Sequence, residues 1–251
     1  MNPKIFFCGD VHGNFEHLIL AVREHRPAAL ILLGDVQAQR PLEIELAPIL
    51  DETELFFVHG NHDTDSEQDY DNLFGSSLAS RNFHGKVIEV AGVRIAGLGG
   101  IFRSQVWRPP APPWHESAAA FLGNSDPSTQ WRGGLELKHR SSIFPEDYRQ
   151  LLNVSADVLV THEAPSAHYF GYGEIDELGK KIGVQKSFHG HQHDRLDYSR
   201  DWDTLGFQAY GVGFCGITDL EGNVIRVGDF DDVRSPADYE FEKAAGWVQP
   251  D

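Results

Sequence analysis

Five short blocks carry the residue types that bind divalent cations and move protons: Gly9-Asp10-Val11-His12, Gly34-Asp35, Gly60-Asn61-His62-Asp63, Thr161-His162-Glu163 and Gly190-His191-Gln192-His193. Each supplies Asp, Asn or His, the donors that two cations share where phosphoester bonds are cleaved. Asp10 and His12 are separated by one residue, so on an extended strand end both side chains point the same way. A carboxylate and an imidazole placed like this can hold one ion together, and His191 and His193 repeat the spacing. Alone, such a pair reads more readily as a turn with polar side chains. Glycine at positions 9, 13, 34, 60 and 190 shifts the reading toward metal, because it allows the tight turns and close backbone approach of a buried site. Asn61 adds a carbonyl oxygen, which suits a hard divalent cation.

Apolar, β-rich runs at 5–8, 30–33, 55–58, 157–160 and 184–188 each lead into one block. Runs of this length suit strands covered on both faces. Open α/β sheets place their chemistry at the carboxyl ends of such strands, so the blocks are expected to converge in space. Phe15, Leu18, Ile19 and Val22 form a helical stripe, with Asn14 as a plausible N-cap. Shorter helices are expected over 145–152 and 174–181. Residues 86–90 and 93–98 read as a hairpin across Ala91-Gly92, and 207–218 with 224–227 as another around Glu221-Gly222-Asn223. Ser235-Pro236 has the form of a final helix start. The stretch 101–144 fits neither pattern and carries Trp107, Trp114, Trp131 and several prolines. It is expected to be an ordered lid inserted into a single domain spanning 1–251.

A chain of 251 residues is long enough for one α/β domain with a sizeable core. Twenty-one basic against 38 acidic side chains give a net charge of −17, which disfavours an extended grip on nucleic acid. A small phosphorylated substrate is the expected partner, because bound metal offsets the charge locally. Cys8 and Cys215 are the only cysteines, so a disulfide framework is not expected and a reducing cytoplasm is. No stretch has transmembrane length, and no signal-peptide apolar region precedes the first strand. Of the 13 histidines, His17, His25, His84, His115, His139 and His168 need no special role. Oligomeric state leaves no mark on this sequence.

The order Asp10-x-His12, Gly34-Asp35, Gly60-Asn61-His62-Asp63, His162, Gly190-His191-x-His193 resembles the calcineurin-like metallophosphoesterase superfamily, over residues 9–193. The resemblance implies a four-layer α/β/β/α sandwich with mixed sheets and a site at one edge of both. It implies one metal held by Asp10, His12, Asp35 and His193. A second would be held by Asp35, Asn61, His162 and His191, with Asp35 bridging. The implied reaction is in-line attack of a metal-bridging hydroxide on a phosphomonoester or phosphodiester, with the cations roughly 3.5–4 Å apart. His62, next to Asn61, would be the general acid, a role worth about 10²–10⁴-fold. The imidazole-rich set suits Mn²⁺ or Fe better than Mg²⁺, and Zn²⁺ is also compatible.

The match departs from the family in its second block, which often continues Gly-Asp-x-x-Asp-Arg. Here Ala38 stands where an Asp would orient the general acid, and Gln39 where an Arg would grip phosphate. This argues against a protein Ser/Thr phosphatase. Asp63 either orients His62 instead or caps a following helix. Arg103, Arg40 and Arg108 are the candidate phosphate-binding residues, Arg103 first because it opens the 101–144 stretch. Leu98-Gly99-Gly100-Ile101-Phe102, His139-Arg140-Ser141-Ser142-Ile143 and Thr161-His162-Glu163-Ala164-Pro165 are also similar to RNA lariat-debranching enzymes, which have Cys where Asp10 stands. The alternatives are a nucleotide or nucleic-acid phosphodiesterase using the same site, or a non-catalytic scaffold. A scaffold has no need of the ligand set together with His62.

Overall fold

A computed structural model describes residues 4–231; the helix expected from Ser235-Pro236 lies outside the described residues. Among the described residues, ten strands form two mixed five-stranded sheets. In the first, β1 (Ile5–Cys8), β2 (Ala29–Leu32) and β3 (Glu54–Phe57) run parallel, and β9 (Ile217–Asp219) and β10 (Val224–Arg226) add antiparallel strands beside β1. In the second, β4 (Lys86–Val90) pairs antiparallel with β5 (Val93–Leu98), followed in parallel by β6 (Val158–Thr161), β7 (Lys186–His189) and β8 (Gln208–Gly211).

Side-chain alternation on these strands builds the layers. Ile5 and Phe7 point to a core shared by the sheets, with Ile31, Ile95, Val160 and Phe188. The Phe7 and Phe188 rings stack across it, centroids 3.7 Å apart and 4° from parallel. Phe6, Cys8, Leu30 and Leu32 point the other way, onto Leu18 and Val22 of α1 (Glu16–His25), Leu42 of α2 (Leu42–Glu45) and Leu73 of α3 (Glu67–Phe74). The second sheet's outer face, with Ala96, Leu98, Leu159 and Ala209, packs under α5 (Pro145–Leu151), α6 (Gly173–Ile182) and α7 (Trp202–Leu205). Helix, sheet, sheet, helix is the resulting order, as the family resemblance implied.

Two local expectations are corrected. Helix α1 starts one residue later than the Asn14 cap required: Phe15 occupies the N-cap without a side-chain hydrogen bond. Asn14 instead donates its backbone N–H to Val11 O at 2.8 Å in the turn that aims His12. The run 207–218 is not one hairpin strand. It contributes β8 to the second sheet, crosses at Val212–Gly216, and only then forms β9, which pairs with β10 as expected. The Ala91-Gly92 hairpin stands as read, with positive φ at both residues (52° and 81°), the conformation of a tight type I′ turn.

The 101–144 stretch holds α4 (Ala118–Asn124) and short 3₁₀ turns rather than long extended loops. Phe102, Val106 and Trp107 join the outer core, Trp131 packs edge-on to Tyr70, and Trp114 is 79% exposed. No helix among the described residues is long and apolar enough to cross a membrane.

Candidate metal centre

Every block follows the carboxyl end of a strand. Asp10 follows β1, Asp35 follows β2, Asn61 follows β3, His162 follows β6, and His191 and His193 follow β7. The two sheets lie face to face, so these ends meet at one edge. Positive φ at His12, Asp35, His191 and His193 turns the chain sharply just past each strand. Gly34 shows why small residues stand here: at φ +106°, a Cβ on it would strike the His162 ring. One on Gly60 would strike the Asp35 carboxylate.

Asp10, His12, Asp35 and His193 each present a donor atom within 4.8 Å of the others, and so do Asp35, His162 and His191. Asn61 joins the second group, its Oδ1 lying 3.2 Å from His162 Nε2. Asp35 belongs to both groups. Its Oδ2 is buried without a hydrogen-bond partner, 3.8 Å from His12 Nε2 and 3.3 Å from His162 Nε2. His12 Nε2 and His193 Nε2 face each other at 3.2 Å. A buried carboxylate oxygen without a hydrogen bond is costly, and two imidazole nitrogens this close can coexist only by sharing one proton in an N–H···N hydrogen bond or by turning both lone pairs to a cation. Both observations fit a cation shared by these side chains. No ligand atom of either group comes from His17, His25, His84, His115, His139 or His168.

The electrostatics agree. Burial pushes Asp10 up to about 7. Burial also opposes ionised Asp35, but the neighbouring His162 charge outweighs it and holds that carboxyl well below the usual range. His162 is driven the other way, to about 10, because Asp35 and Asp10 overcome the burial that opposes its charge. Burial lowers His191 and brings His193 to about 4, leaving both as neutral imidazoles, the form that ligates metal. An imidazolium at His162 thus offsets one of the two aspartate charges; a divalent cation would offset both with His162 neutral.

Around the ligands, other residues fix orientation. His12 Nδ1 meets Gln37 Oε1 at 2.5 Å, and His162 Nδ1 meets Leu33 O at 2.8 Å. Such partners set the tautomer and leave Nε2 for the metal. The Asp10 carboxylate accepts His191 N–H at 3.0 Å. Glu163 Oε1 accepts Phe102 N–H at 2.9 Å, and its Oε2 is 3.9 Å from His191 Nε2. Phe214 stacks on His12 with centroids 5.1 Å apart.

His62 lies beside the centre: its backbone N–H reaches Asp35 Oδ1 at 2.8 Å, and its ring is 5.3 Å from that of His12. Its Nδ1 faces Asp65 Oδ2 at 2.5 Å. Neither reading of Asp63 holds. That carboxylate is fully buried and accepts the backbone N–H groups of Val36 (2.7 Å), Gln37 (2.9 Å) and Gly60 (2.8 Å). Asp63 therefore ties the loop after β2 to the loop after β3, while Ser66 caps the next helix, α3. The arginines also separate. Arg103 is buried and donates to Ser141 Oγ at 3.3 Å. Arg40 is exposed and paired with Glu45 at 2.8 Å. Arg108 is half-buried and, with Arg103, sits close enough to Glu163 to favour its ionised form against burial. Asp65, Gln37 and Thr64 carried no sequence signal beyond the three-residue spacing of Asp65 from His62, and Ser141 stood out only within the 139–143 stretch.

A sequence profile described as calcineurin-like phosphoesterase matches residues 3–195. The chain belongs to the calcineurin-like phosphoesterase family. A protein of Haemophilus influenzae described only as uncharacterized is 40% identical over 221 residues, covering 88% of this chain and 96% of its own length. The fold is similar to the crystal structure of TT1561 of Thermus thermophilus, with TM-score 0.57 at 13% identity, covering 91% of this chain and 99% of that one. The match to this family spans all five blocks, and the described ligand groups lie within it.

Proposed function

We propose that this calcineurin-like phosphoesterase is a dinuclear-metal-dependent hydrolase of phosphoester bonds acting on small phosphorylated substrates. The observation that carries the reading is Asp35 Oδ2, a buried oxygen without a hydrogen-bond partner that is common to both ligand groups. Asp10, His12, Asp35 and His193 would hold one cation, and Asp35, Asn61, His162 and His191 the other. When bound, the pair supplies the charge that polarises a phosphoryl group and the acidity that activates water for in-line attack. The donor set favours Mn²⁺ or Fe, with Zn²⁺ also compatible.

The remaining work falls to side chains. His62 gives a proton to the leaving-group oxygen through Nε2, while Asp65 holds Nδ1–H, aims the ring and favours its protonated form. Burial opposes that proton, but Asp35 and Asp65 outweigh it and raise the His62 pKa. Arg108, half-open beside Glu163, is the cation that meets substrate phosphate. Two buried free thiols, Cys8 and Cys215, favour a reducing cytoplasm as its compartment.

The test is a substrate panel with purified protein and Mn²⁺, Fe²⁺ or Zn²⁺. It compares p-nitrophenyl phosphate, bis-p-nitrophenyl phosphate, dinucleoside polyphosphates, cyclic nucleotides and branched RNA. Turnover of the monoester first supports the phosphatase form, and turnover of the diesters first supports the phosphodiesterase form. No hydrolysis with any metal, together with fewer than two cations bound at saturation, would remove the proposal.

A further inference from the structure

The 101–144 excursion begins and ends on the same buried spot. Ile101 N–H donates to Ser141 O and Ile143 N–H to Ile101 O, both at 2.9 Å. Side chains carry the connection inward. Arg103 Nη2 lies 3.3 Å from Ser141 Oγ, which lies 2.7 Å from Thr64 Oγ1, which lies 3.1 Å from the backbone oxygen of Asn61. Arg103 is 6% exposed, Ser141 0% and Thr64 2%, so water does not compete for these groups.

A guanidinium only donates, so Ser141 Oγ accepts from Arg103. Ser141 and Thr64 share a hydrogen bond that either hydroxyl can donate, Thr64 Oγ1 reaches the Asn61 carbonyl at 3.1 Å, and Ser141 Oγ reaches Lys138 O at 3.1 Å. Neighbouring bonds in such a buried series polarise one another. The series stops at Asn61, whose side chain belongs to the second ligand group and whose neighbour is His62. Arg103 is thereby removed from the surface that meets substrate.

We infer that Arg103, Ser141 and Thr64 are positioning residues, joining the base of the 101–144 excursion to the Asn61-His62 turn and holding that turn in register with the metal centre. The inference rests on the hydrolase reading above. It gives the excursion a part in turnover that does not depend on opening or closing.

Thr64→Val keeps the side-chain shape and deletes the hydroxyl. It should lower kcat about 10–100-fold, with KM within about twofold and metal stoichiometry unchanged. Thr64→Ser, which restores the hydroxyl, should recover the rate. Ser141→Ala should behave like Thr64→Val, and the double variant should be little worse than either alone, since both cut one series. An unchanged kcat in Thr64→Val, or a Ser variant as slow as the Val variant, overturns the inference. So does an Arg103→Gln variant that raises KM and spares kcat, because that is the behaviour of a substrate grip. A wild-type protein inactive on every phosphoester, with fewer than two cations bound at saturation, would sink the hydrolase reading alone. Amide hydrogen exchange then decides the positioning role: Thr64→Val should speed exchange in 59–65 and 101–103 together, with β1 and β2 unchanged. Equal exchange in both proteins overturns it.

Discussion

Asp65 Oδ2 sits 2.5 Å from His62 Nδ1, three residues along the same 3₁₀ turn. A carboxylate supplied from the loop after β2 is the family's arrangement, but Ala38 occupies that place and is buried among apolar residues. Asp65 gives the imidazole an equivalent partner from a local contact. An ionised partner on Nδ1 holds the ring still and favours the imidazolium, whose Nε2 carries a proton to give. Asp65→Asn should therefore lower kcat about 10–100-fold without loss of bound metal. Steady-state kinetics beside elemental analysis read both quantities, and an unchanged kcat would remove Asp65 from the mechanism.

Asp63→Asn should behave differently from Asp65→Asn, despite the two-residue separation. It replaces an acceptor of three backbone N–H groups with one that presents a donor to at least one of them. A buried mismatch of this kind costs about 1–3 kcal/mol. Thermal unfolding should show a lower Tm for Asp63→Asn and a near-native one for Asp65→Asn. The reverse ranking would contradict the roles assigned here.

Asp35 contributes to both ligand groups, whereas the Gln37 side chain hydrogen-bonds His12, a member of one of them. Asp35→Ala is expected to abolish binding of both cations. Gln37→Ala should weaken one of them about 10–100-fold and leave the other. Titration of chelator-stripped protein with Mn²⁺, followed by calorimetry, distinguishes two altered sites from one. Equal weakening of both sites by Gln37→Ala would argue against the proposed division of ligands.

His17 makes a pH prediction remote from the metal centre. It lies on α1, buried, with neither ring nitrogen hydrogen-bonded, and faces Arg226 and Asp229. Burial first, then Arg226, lowers its pKa to about 4 against an opposing pull from Asp229. The folded protein therefore binds this proton less readily than the unfolded chain. Stability from this group is full above pH about 6.5 and declines as pH falls toward about 4, by up to about 3 kcal/mol and less with residual solvent screening. His17→Leu should flatten that part of the stability–pH curve, measured by urea unfolding at several pH values. Curves that stay parallel would show that His17 is not responsible.

The candidate donor residues and the strand before each of them were legible in the sequence, and the family resemblance supplied the four-layer order. Hydrophobic periodicity is a local property, and each ligand stands within a few residues of the strand that carries it. The groups that aim those ligands were not legible, because they arrive from elsewhere in the chain. Gln37 reaches His12 across 25 residues, and Ser141 reaches Thr64 across 77. Asp63 and Asp65 look alike as neighbours of His62; only the direction each carboxylate takes inside the fold separated a backbone tie from a partner for the imidazole. Residues 207–218 likewise read as one strand, since a crossing between sheets leaves no periodic trace. Local chemistry follows residue type and spacing, whereas hydrogen-bond partnership follows distance in three dimensions, which the packing of the two sheets decides.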